Sequence, residues 1–289
     1  VVDDHLMGIT DVVRGMEYLS STPKYNLIYN AFEWEIPRYI HCPPVMKDEH
    51  NKLSKRNGDA SFQDLVAKGY LPGAILNYIA LLGWSPEEDK EIFTLDELVQ
   101  AFNVKHIGKV GAIFDPDKLK WINGMWLRGM DLDSYYDLVK PYIDQAVKGD
   151  FDGKKIAAIL QQRAETLVEI PGMLDFFDEF PAYDNALYVN KKMKTTLDVS
   201  LSSLQAAKET LEAMDETNWN QENLHSVLLE IPKKLERKNG QVLFPLRLAL
   251  TGKQFTPGGA IEIADILGKT ETLRRLNLSI AQLDKEVNA

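Results

Sequence analysis

The most informative stretch of this chain is KLSKR, residues 52–56, which lies on a polar segment that ends in Gly58. Its two lysines, Lys52 and Lys55, stand three residues apart with Ser54 between them. A lysine ammonium group is a compact charge on a flexible stem, so a pair of them can neutralise charge that builds on a departing pyrophosphate. The pattern therefore suits the binding of a polyphosphate such as that of ATP. A basic surface turn is the alternative, because short basic motifs often occur by chance.

The sequence on both sides of this run provides its context. An apolar, strand-like segment with Arg14 and a helical pattern over 25–32 precede it, while GYLP at 69–72 and NYIALLGW at 77–84 follow it. With these flanks the chain resembles the bacterial glutamyl-tRNA synthetases. The KLSKR run resembles the KMSKS signature of class I synthetases, in the form that this subfamily favours, and the resemblance extends from Val1 to the C-terminal region.

The resemblance implies a second signature, HIGH, on a strand-to-helix turn well before the KLSKR run. His106-Ile107-Gly108 spells most of it, but Lys109 follows, the tripeptide comes after the run, and no buried strand precedes it. We interpret it as a turn that ends at Gly108. We therefore expect the part with HIGH to precede Val1, so that this chain is the C-terminal half of such an enzyme, shortened experimentally rather than naturally split.

Composition favours a multi-domain protein of the cytoplasm. The 289 residues are about twice the length of an ordinary domain. The single cysteine, Cys42, excludes an internal disulfide framework and a Cys-rich zinc site, and we expect it to be a small buried residue. No apolar run approaches the roughly 18 residues of a membrane span, and no signal-peptide pattern opens the chain. We predict a cytoplasmic monomer with no metal site in its sequence and no membrane or DNA partner.

The net charge of −10 is segregated along the chain. Between Glu230 and Lys253, six basic residues accompany only two acidic ones, whereas 171–188 holds four acidic residues and no basic one. Nucleic acid binds a local patch of positive charge, so a negative net charge of the whole chain does not exclude RNA binding. We predict that the basic stretch faces RNA, with a solvated helix end as the alternative. Its basic residues are Lys233, Lys234, Arg237, Lys238, Arg247 and Lys253.

Apolar periodicity predicts a mainly α fold. Residues recur at i, i+3 and i+4 over four long stretches, namely 154–170, 196–214, 221–235 and 270–283. The sequence Thr94-Leu95-Asp96-Glu97 is a capping box that opens another helix.

Three further features complete the prediction of the fold. Thr22 and Pro23 are interpreted as the N-cap and first residue of a helix, and Asp115-Pro116 begins one that directs Leu119, Ile122 and Trp126 to a core. Residues 38–45 are predicted to be the last strand of a sheet. Three tryptophans are expected to be core residues, namely Trp121, Trp126 and Trp219.

The resemblance implies four parts. Residues 1–45 end a Rossmann-type α/β catalytic domain, 46–130 form an all-helical stem-contact domain with the KMSKS-like loop, and 131–189 and 190–289 form a helical anticodon-binding region in two parts. Glutaminyl-tRNA synthetases and the eukaryotic type of glutamyl enzyme read the anticodon with β-barrels, which need many short alternating strands. No such strands are predicted after Val45, which favours the bacterial glutamyl type.

The resemblance also assigns the residues of the activation site. Arg14 matches the arginine that pairs with the carboxylate of bound glutamate, since a guanidinium makes two parallel hydrogen bonds to a carboxylate. Glu17 and Tyr18 match an acid and an aromatic residue near the adenosine of ATP. Lys52 and Lys55 match the two catalytic lysines of the signature.

Two neighbours of these lysines complete the ATP site. Ser54 is expected to donate a hydrogen bond to phosphate, and Arg56 extends the basic patch toward pyrophosphate or the tRNA. Magnesium is expected to accompany ATP, held mainly by the phosphates. The alternatives are a surface ion pair for Arg14 and simple packing for Tyr18.

Anticodon contacts are implied at the other end of the chain. Arg163 matches a position that meets the last anticodon base, and Arg247, Thr256 and Pro257 match further contacts. Bases splayed from a loop can be read on their edges by arginine forks and by backbone groups in turns. Gly259 stands where relatives often have a bulkier residue, and each arginine has an ordinary helix surface as its alternative.

The sequence is thus interpreted as part of a glutamyl-tRNA synthetase, with ATP, L-glutamate and tRNA(Glu) as partners. The enzyme activates L-glutamate with ATP and esterifies it to the tRNA. The alternative is a non-catalytic tRNA-binding module or a synthetase-like paralogue that binds RNA without activating an amino acid. A HIGH signature upstream would distinguish the two, and we expect the 289-residue chain alone to form no glutamyl-adenylate.

Overall fold

The structure is a computed structural model that describes residues 1–53 and 61–288. It divides into two compact units, Val1–Trp126 and a second unit from Leu127 onward. The prediction of a mainly helical chain is confirmed. Within the described ranges, no helix is both long enough and apolar enough to span a membrane.

Six helices and two strands build the first unit in the described residues. They are α1 (Val2–Leu6), β1 (Asp11–Gly15), α2 (Thr22–Ala31), β2 (Arg38–Cys42), α3 (Phe62–Ala67), α4 (Pro72–Gly83), α5 (Leu95–Ala101) and α6 (Pro116–Arg128). Short 3-10 turns lie at Met16–Tyr18 and Val104–His106. Helix α2 begins at Thr22 with Ser21 as its N-cap, one residue earlier than predicted.

The two strands pair in parallel, with Arg14 opposite His41. This confirms the predicted strand within 38–45 and supplies its partner. Parallel sheets normally have both faces covered, yet the side chain of Val13 is 61% exposed.

The core of the first unit is organised around a buried amide. Asn77 of α4 is fully buried, and its Oδ1 accepts hydrogen bonds from the backbone N–H of Phe93 at 2.9 Å and from Nε1 of Trp126 at 3.1 Å. Gly73 allows this arrangement, because a Cβ at that position would lie 2.5 Å from the Trp126 ring. The predicted core roles of Leu119 and Ile122 are confirmed, and Trp126 is partly buried and packs against this core.

Two other predictions for buried residues need correction. Trp121 is 37% exposed, and Nζ of Lys118 lies 4.3 Å from the centre of its ring, so it is a surface residue covered by a lysine stem. Cys42 is only half-buried at the end of β2.

In the described residues the second unit is built from helices, with one isolated antiparallel bridge between Asn190 and Thr195. Its helices are α7 (Leu132–Ala146), α8 (Gly153–Gln161), α9 (Ile170–Leu174), α10 (Leu197–Glu212), α11 (Gln221–Lys234), α12 (Asn239–Thr251) and α13 (Ala260–Val287), and 3-10 turns lie at Leu167–Glu169, Asn185–Tyr188 and Glu216–Asn218. Helices α10 and α11 match their predicted bounds closely. Helix α13 contains the predicted stretch 270–283 but begins ten residues earlier, with a kink at Gly268, whose φ is +76°. Trp219 is half-buried and donates from Nε1 to the carbonyl of Ala264 at 2.9 Å.

The prediction of one continuous helix over 154–170 is wrong. Helix α8 ends at Gln161, and the carboxylate of Glu169 accepts hydrogen bonds from the backbone N–H groups of Glu165 and Thr166. Those N–H groups begin a new turn and are unavailable to continue α8. Pro171, near the start of α9, suits a helix start rather than a helix interior. Arg163 therefore lies in a connection between helices.

Candidate functional site

The Arg14 guanidinium lies in a cage of neutral groups at the end of β1. Its Nη2 donates to Thr22 Oγ1 at 2.8 Å. Its Cζ lies 4.7, 5.0 and 5.2 Å from the ring centres of Tyr39, Tyr25 and Tyr18. Among the described residues, no carboxylate forms an ion pair with Arg14. A half-buried guanidinium with spare donors and no anionic partner is suited to bind the carboxylate of a ligand.

The strand register explains part of this cage. His41 stands directly opposite Arg14 on β2, and Tyr39 is on the same face of that strand because side chains alternate. Nε of Arg14 lies 3.4 Å from Nε2 of His41. Burial raises the pKa of the Tyr39 phenol, and the Arg14 charge opposes this shift. Sequence reasoning missed Tyr25, Tyr39 and His41, and the alternation of Tyr39 with His41 was the one available signal.

The predicted neighbours Glu17 and Tyr18 lie on the 3-10 turn that follows β1. The Glu17 carboxylate folds back over Gly15, where any side chain would collide with it. Tyr18 is 45% exposed and presents its ring to Arg14. The structure thus brings Tyr18 to Arg14, whereas the Glu17 carboxylate lies over Gly15, and no contact among the described residues joins it to Arg14.

Lys52 stands on the returning arm of a tight hairpin. Met46 bridges Lys52 in antiparallel fashion, and the N–H of Leu53 donates to the carbonyl of Val45 at 3.0 Å. At the tip, the Asp48 carboxylate accepts from the backbone N–H of Asn51 at 2.8 Å. The Asn51 side chain and backbone N–H groups hold the pKa of Asp48 below its usual value.

The base of this hairpin is anchored to the first unit. The N–H of Met46 donates to the carbonyl of Ala112 at 2.9 Å, and the N–H of Phe114 donates to the carbonyl of Met46 at 2.8 Å. Gly111 allows the close approach, since a Cβ there would lie 2.8 Å from the carbonyl oxygen of Pro44. The exposed Lys52 side chain therefore projects from a backbone that hydrogen bonds hold in place.

The rest of the predicted ATP site lies outside the described residues, since Ser54, Lys55 and Arg56 belong to the undescribed segment 54–60. Within the described ranges, no hydrogen bond, ion pair or ring contact joins Lys52 to the Arg14 cage. The described residues also contain no group of three or more His, Cys, Asp or Glu side chains arranged to hold a metal ion.

In the second unit, the guanidinium of Arg247 on α12 is only partly hydrogen-bonded and lies near a second positive charge. Its Nη2 donates to the carbonyl of Gln254 at 2.7 Å, but its Nε is buried without a hydrogen-bond partner. Burial, and then the nearby positive charge of Arg163, lower the pKa of Arg247. Neither arginine has an ion-pair partner among the described residues of the chain. Two guanidinium groups close to each other, one with a buried unused donor, suit a ligand rich in acceptors and negative charge.

Arg163 and Pro257 line one pocket of about 360 Å³. Arg163 follows α8 and is exposed, with its N–H bonded to the carbonyl of Leu160 at 2.8 Å. Gly258 packs on Ile159 of α8, where a Cβ would come within 3.1 Å of Cγ2. The other residues that line the pocket are Lys155, Ala158, Ile159, Gln162, Gln221, Gly258, Gly259, Glu262, Asp265 and Ile266.

The turn between α12 and α13 carries the remaining predicted contacts. Helix α12 ends at Thr251 and is capped by Gly252, whose φ is +65°, a conformation that favours glycine. Thr256 Oγ1 donates to the carbonyl of Gly258 at 2.7 Å, and Pro257 is buried. The structure thus places Arg163, Arg247 and the Thr256-Pro257 turn in one region. Phe255, on this turn, is 82% exposed and was missed by sequence reasoning.

The predicted basic stretch is only partly available for RNA. Lys233 pairs with Glu230 at 2.6 Å, and Lys253 pairs with Asp175. Arg237 donates to Ser203 Oγ at 2.8 Å and to backbone in α10. Arg237 and Lys253 serve the fold, because they have partners inside the unit, whereas Lys233 is 71% exposed and forms only a surface ion pair. Lys234 and Lys238 are exposed as well.

Comparison with protein families matches nearly the whole chain. Residues 1–121 match the family model of tRNA synthetases class I (E and Q), catalytic domain. Residues 134–280 match the anticodon binding domain family. The boundary between the two matches lies where the structure divides into two units.

Curated relatives and solved structures agree with these matches. The chain is 58% identical to a glutamate–tRNA ligase of Clostridium botulinum over 98% of its length, and 58% identical to one of Clostridium tetani over its full length. It spans 58% and 59% of those relatives. It resembles the crystal structure of a glutamate–tRNA ligase from Elizabethkingia meningosepticum in complex with its amino acid, with a TM-score of 0.79 and 29% identity over 98% of this chain and 59% of that one.

Proposed function

The chain belongs to the glutamate–tRNA ligase family, and from that membership we propose that it reads the anticodon of tRNA(Glu) and supplies the KMSKS-like loop for glutamate activation. The observation that carries the first part is the proximity of Arg163 and Arg247, with a buried unused donor on Arg247 and no ion pair to either arginine among the described residues. Burying a charged donor without a partner, close to a second positive charge, costs free energy in the free protein. Hydrogen-bond acceptors and phosphates of a bound RNA would offset that cost.

The pocket beside Arg163 has the chemistry to read a base. An arginine fork recognises acceptor pairs on a base edge, and the buried Pro257 and Gly258 give it a firm wall. Single-stranded anticodon bases expose those edges. Arg163 is proposed to read the last anticodon base, with Arg247, Thr256 and Pro257 contacting its neighbours.

Arg14 is proposed to hold the carboxylate of L-glutamate. Its partners are a threonine hydroxyl, a histidine ring and three tyrosine faces, so its charge is available to an acidic ligand. The side-chain amide of glutamine has one acceptor oxygen, so it would accept one of the two parallel hydrogen bonds that a carboxylate accepts. Binding of glutamine would therefore be disfavoured. Tyr18 presents its ring to Arg14, and Glu17 precedes it on the same turn. Both residues are proposed to face the adenosine of ATP.

Activation is proposed to proceed without a protein nucleophile. A glutamate carboxylate oxygen attacks the α-phosphorus of ATP, the bond to the bridging oxygen breaks, and pyrophosphate leaves. Lys52 and Lys55 neutralise the charge on the departing group, while Ser54 and Arg56 bind phosphate oxygens. Mg²⁺ would share that charge, coordinated mainly by the phosphates. A tRNA hydroxyl then attacks the carbonyl carbon of the adenylate and loses its proton, and the bond to the phosphate oxygen breaks, so that AMP leaves as the ester forms.

We further propose that residues 1–45, with the two-stranded sheet, are the C-terminal end of a Rossmann-type catalytic domain. A stem-contact part with the KMSKS-like loop follows over 46–130, and the anticodon-binding parts are 131–189 and 190–289. The exposed Val13 on a parallel strand supports the first of these assignments, because parallel sheets are normally covered on both faces.

Titration with RNA tests the anticodon proposal. The 289-residue chain is expected to bind the stem-loop of the tRNA(Glu) anticodon, with affinity that falls as salt rises because phosphate contacts release counterions. Arg163→Gln is expected to cost roughly 1–3 kcal/mol of discrimination at the last anticodon base and to leave most non-specific affinity in place.

Four stem-loops that differ only at the last anticodon base provide the measurement. Lys233→Gln is the matched control, because that lysine is paired with Glu230 and is expected to leave the base preference unchanged. If wild type binds all four stem-loops equally, the chain does not read this base. If Arg163→Gln keeps the full preference of wild type, another residue reads it.

A further inference from the structure

Phe255 is an aromatic side chain held out into solvent at the predicted RNA-reading region. Its exposed fraction is 82%, far above that of the other phenylalanines in the second unit. Within the described residues its ring makes no stacking or cation–π contact. Burying a phenylalanine is normally favourable, so a partner that covers this exposed ring would gain binding free energy.

Hydrogen bonds on both sides of Phe255 hold its backbone in place. The carbonyl of Gln254 accepts from Nη2 of Arg247 at 2.7 Å, and Thr256 Oγ1 donates to the carbonyl of Gly258 at 2.7 Å. Lys253 is tied to Asp175 by an ion pair. The ring therefore projects from a fixed turn, and the two groups that fix it are two of the proposed anticodon contacts.

The surroundings of the ring distinguish between kinds of partner. An apolar protein surface or a membrane would be expected to meet a contiguous apolar patch, whereas Phe255 is flanked in the chain by Gln254 and Thr256, and the Arg247 guanidinium binds the carbonyl of Gln254. A single flat ring among hydrogen-bonding and cationic groups is the arrangement that binds an unstacked nucleobase.

We propose that Phe255 is a nucleobase-stacking site, on which one base of the tRNA anticodon loop lies while Arg247 and Thr256 hold its backbone or edge. The inference rests on the proposed anticodon function. It adds a residue that binds the flat face of an unstacked base and does not recognise the edge that identifies the base. Stacking tolerates any base because every base has a π face, so Phe255 is expected to contribute affinity and to leave the base preference unchanged.

Stem-loops that carry the fluorescent base 2-aminopurine at one loop position at a time provide a direct test. Stacking on an aromatic ring quenches this base, so wild type is expected to quench one position on binding. Phe255→Leu keeps an apolar side chain without a π face; it is expected to abolish that quenching and to weaken binding roughly 5- to 100-fold. Phe255→Tyr keeps the ring and is expected to retain both.

The outcomes separate this inference from the function on which it rests. If wild type binds and selects the anticodon, yet Phe255→Leu retains the quenching and binds within about twofold of wild type, the stacking site is overturned and anticodon reading stands. If wild type fails to bind any anticodon stem-loop, the proposed function falls and the stacking site falls with it. An unchanged thermal midpoint in Phe255→Leu confirms that lost binding does not come from unfolding.

Discussion

At the scale of single residues, the partners of an arginine separate structural from functional roles. Arg275 of α13 is 1% exposed and donates from Nη1 to the carbonyls of Phe176 and Leu250 at 2.7 and 2.8 Å, from Nη2 to that of Phe177 at 2.8 Å, and from Nε to Glu271. Every donor group of this guanidinium has a partner inside the protein. Arg14, Arg163 and Arg247 have spare donors and no carboxylate partner among the described residues, which is why they are candidates for binding.

Arg275→Met is expected to destabilise the second unit by about 3–5 kcal/mol, because it leaves three buried carbonyls without a donor. Urea unfolding followed by helical circular dichroism measures this loss. Arg274→Met is the matched control, since Arg274 also pairs with Glu271 but is 52% exposed, and it is expected to cost at most about 1 kcal/mol. Equal losses for the two variants would contradict the structural role assigned to the carbonyl contacts of Arg275.

At the scale of secondary-structure elements, caps define where helices begin and end. The predicted capping box before α5 is confirmed: the N–H of Glu97 donates to Thr94 Oγ1 at 3.3 Å, and Glu97 Oε2 accepts from the N–H of Thr94 at 2.8 Å. Lys90 adds an ion pair to the same carboxylate at 2.7 Å. A side-chain cap also begins the turn that follows α8, where Glu169 accepts from the N–H groups of Glu165 and Thr166. Arg163 therefore lies in a connection between helices, where it lines the pocket.

The pH dependence of α5 follows from this cap. The hydrogen bond from Lys90, and then that from the Thr94 N–H, lower the pKa of Glu97 to about 2. Because the pKa is lower in the folded than in the unfolded chain, the stabilisation is complete above the unfolded value of about 4.5 and is lost as pH falls toward 2. Glu97→Gln is therefore expected to lower the thermal midpoint of the first unit at pH 7, and by progressively less below pH 4.5.

Tryptophan emission measures this midpoint, since four of the five tryptophans belong to the first unit. Asp96→Asn removes a negative charge from the same helical turn without touching the cap, so it is expected to show a smaller pH-dependent difference. A Glu97→Gln difference that stays constant from pH 7 to pH 3 would show that the charge of Glu97 does not stabilise the cap.

At the scale of the whole molecule, the activation and anticodon functions are assigned to different compact units. The Arg14 cage and the Lys52 hairpin belong to the first, and the arginine pair with its pocket belongs to the second. Each unit has its own buried core, so the RNA-binding experiments above test the second unit independently of activation chemistry.

The 289-residue chain alone is expected to catalyse no glutamate-dependent pyrophosphate exchange. Its His106-Ile107-Gly108 segment lies at a 3-10 turn after α5 and not on a strand-to-helix turn, so it is not expected to supply the groups that place ATP in line with glutamate. Radiolabelled exchange with a full-length relative as positive control is the measurement. Exchange near the rate of that relative would show that these 289 residues hold a complete activation site.

Local sequence patterns are sufficient to predict several parts of this protein. Periodicity located α10 and α11, the capping box located α5, and KLSKR with its flanks pointed to the family, because caps and helical faces depend on residues a few positions apart. The same local reasoning merged α8 and α9, since the apolar period continues across a break that the Glu169 side chain creates.

Only the tertiary structure showed which distant residues meet. The cage of Tyr18, Tyr25 and Tyr39 around Arg14 depends on strand pairing, and the approach of Arg163 to Arg247 depends on how α8, α12 and α13 pack in the second unit. The buried Nε of Arg247 and the exposed ring of Phe255 are likewise properties of packing. Burial and long-range proximity arise from the sum of many weak contacts, and no short stretch of sequence encodes them.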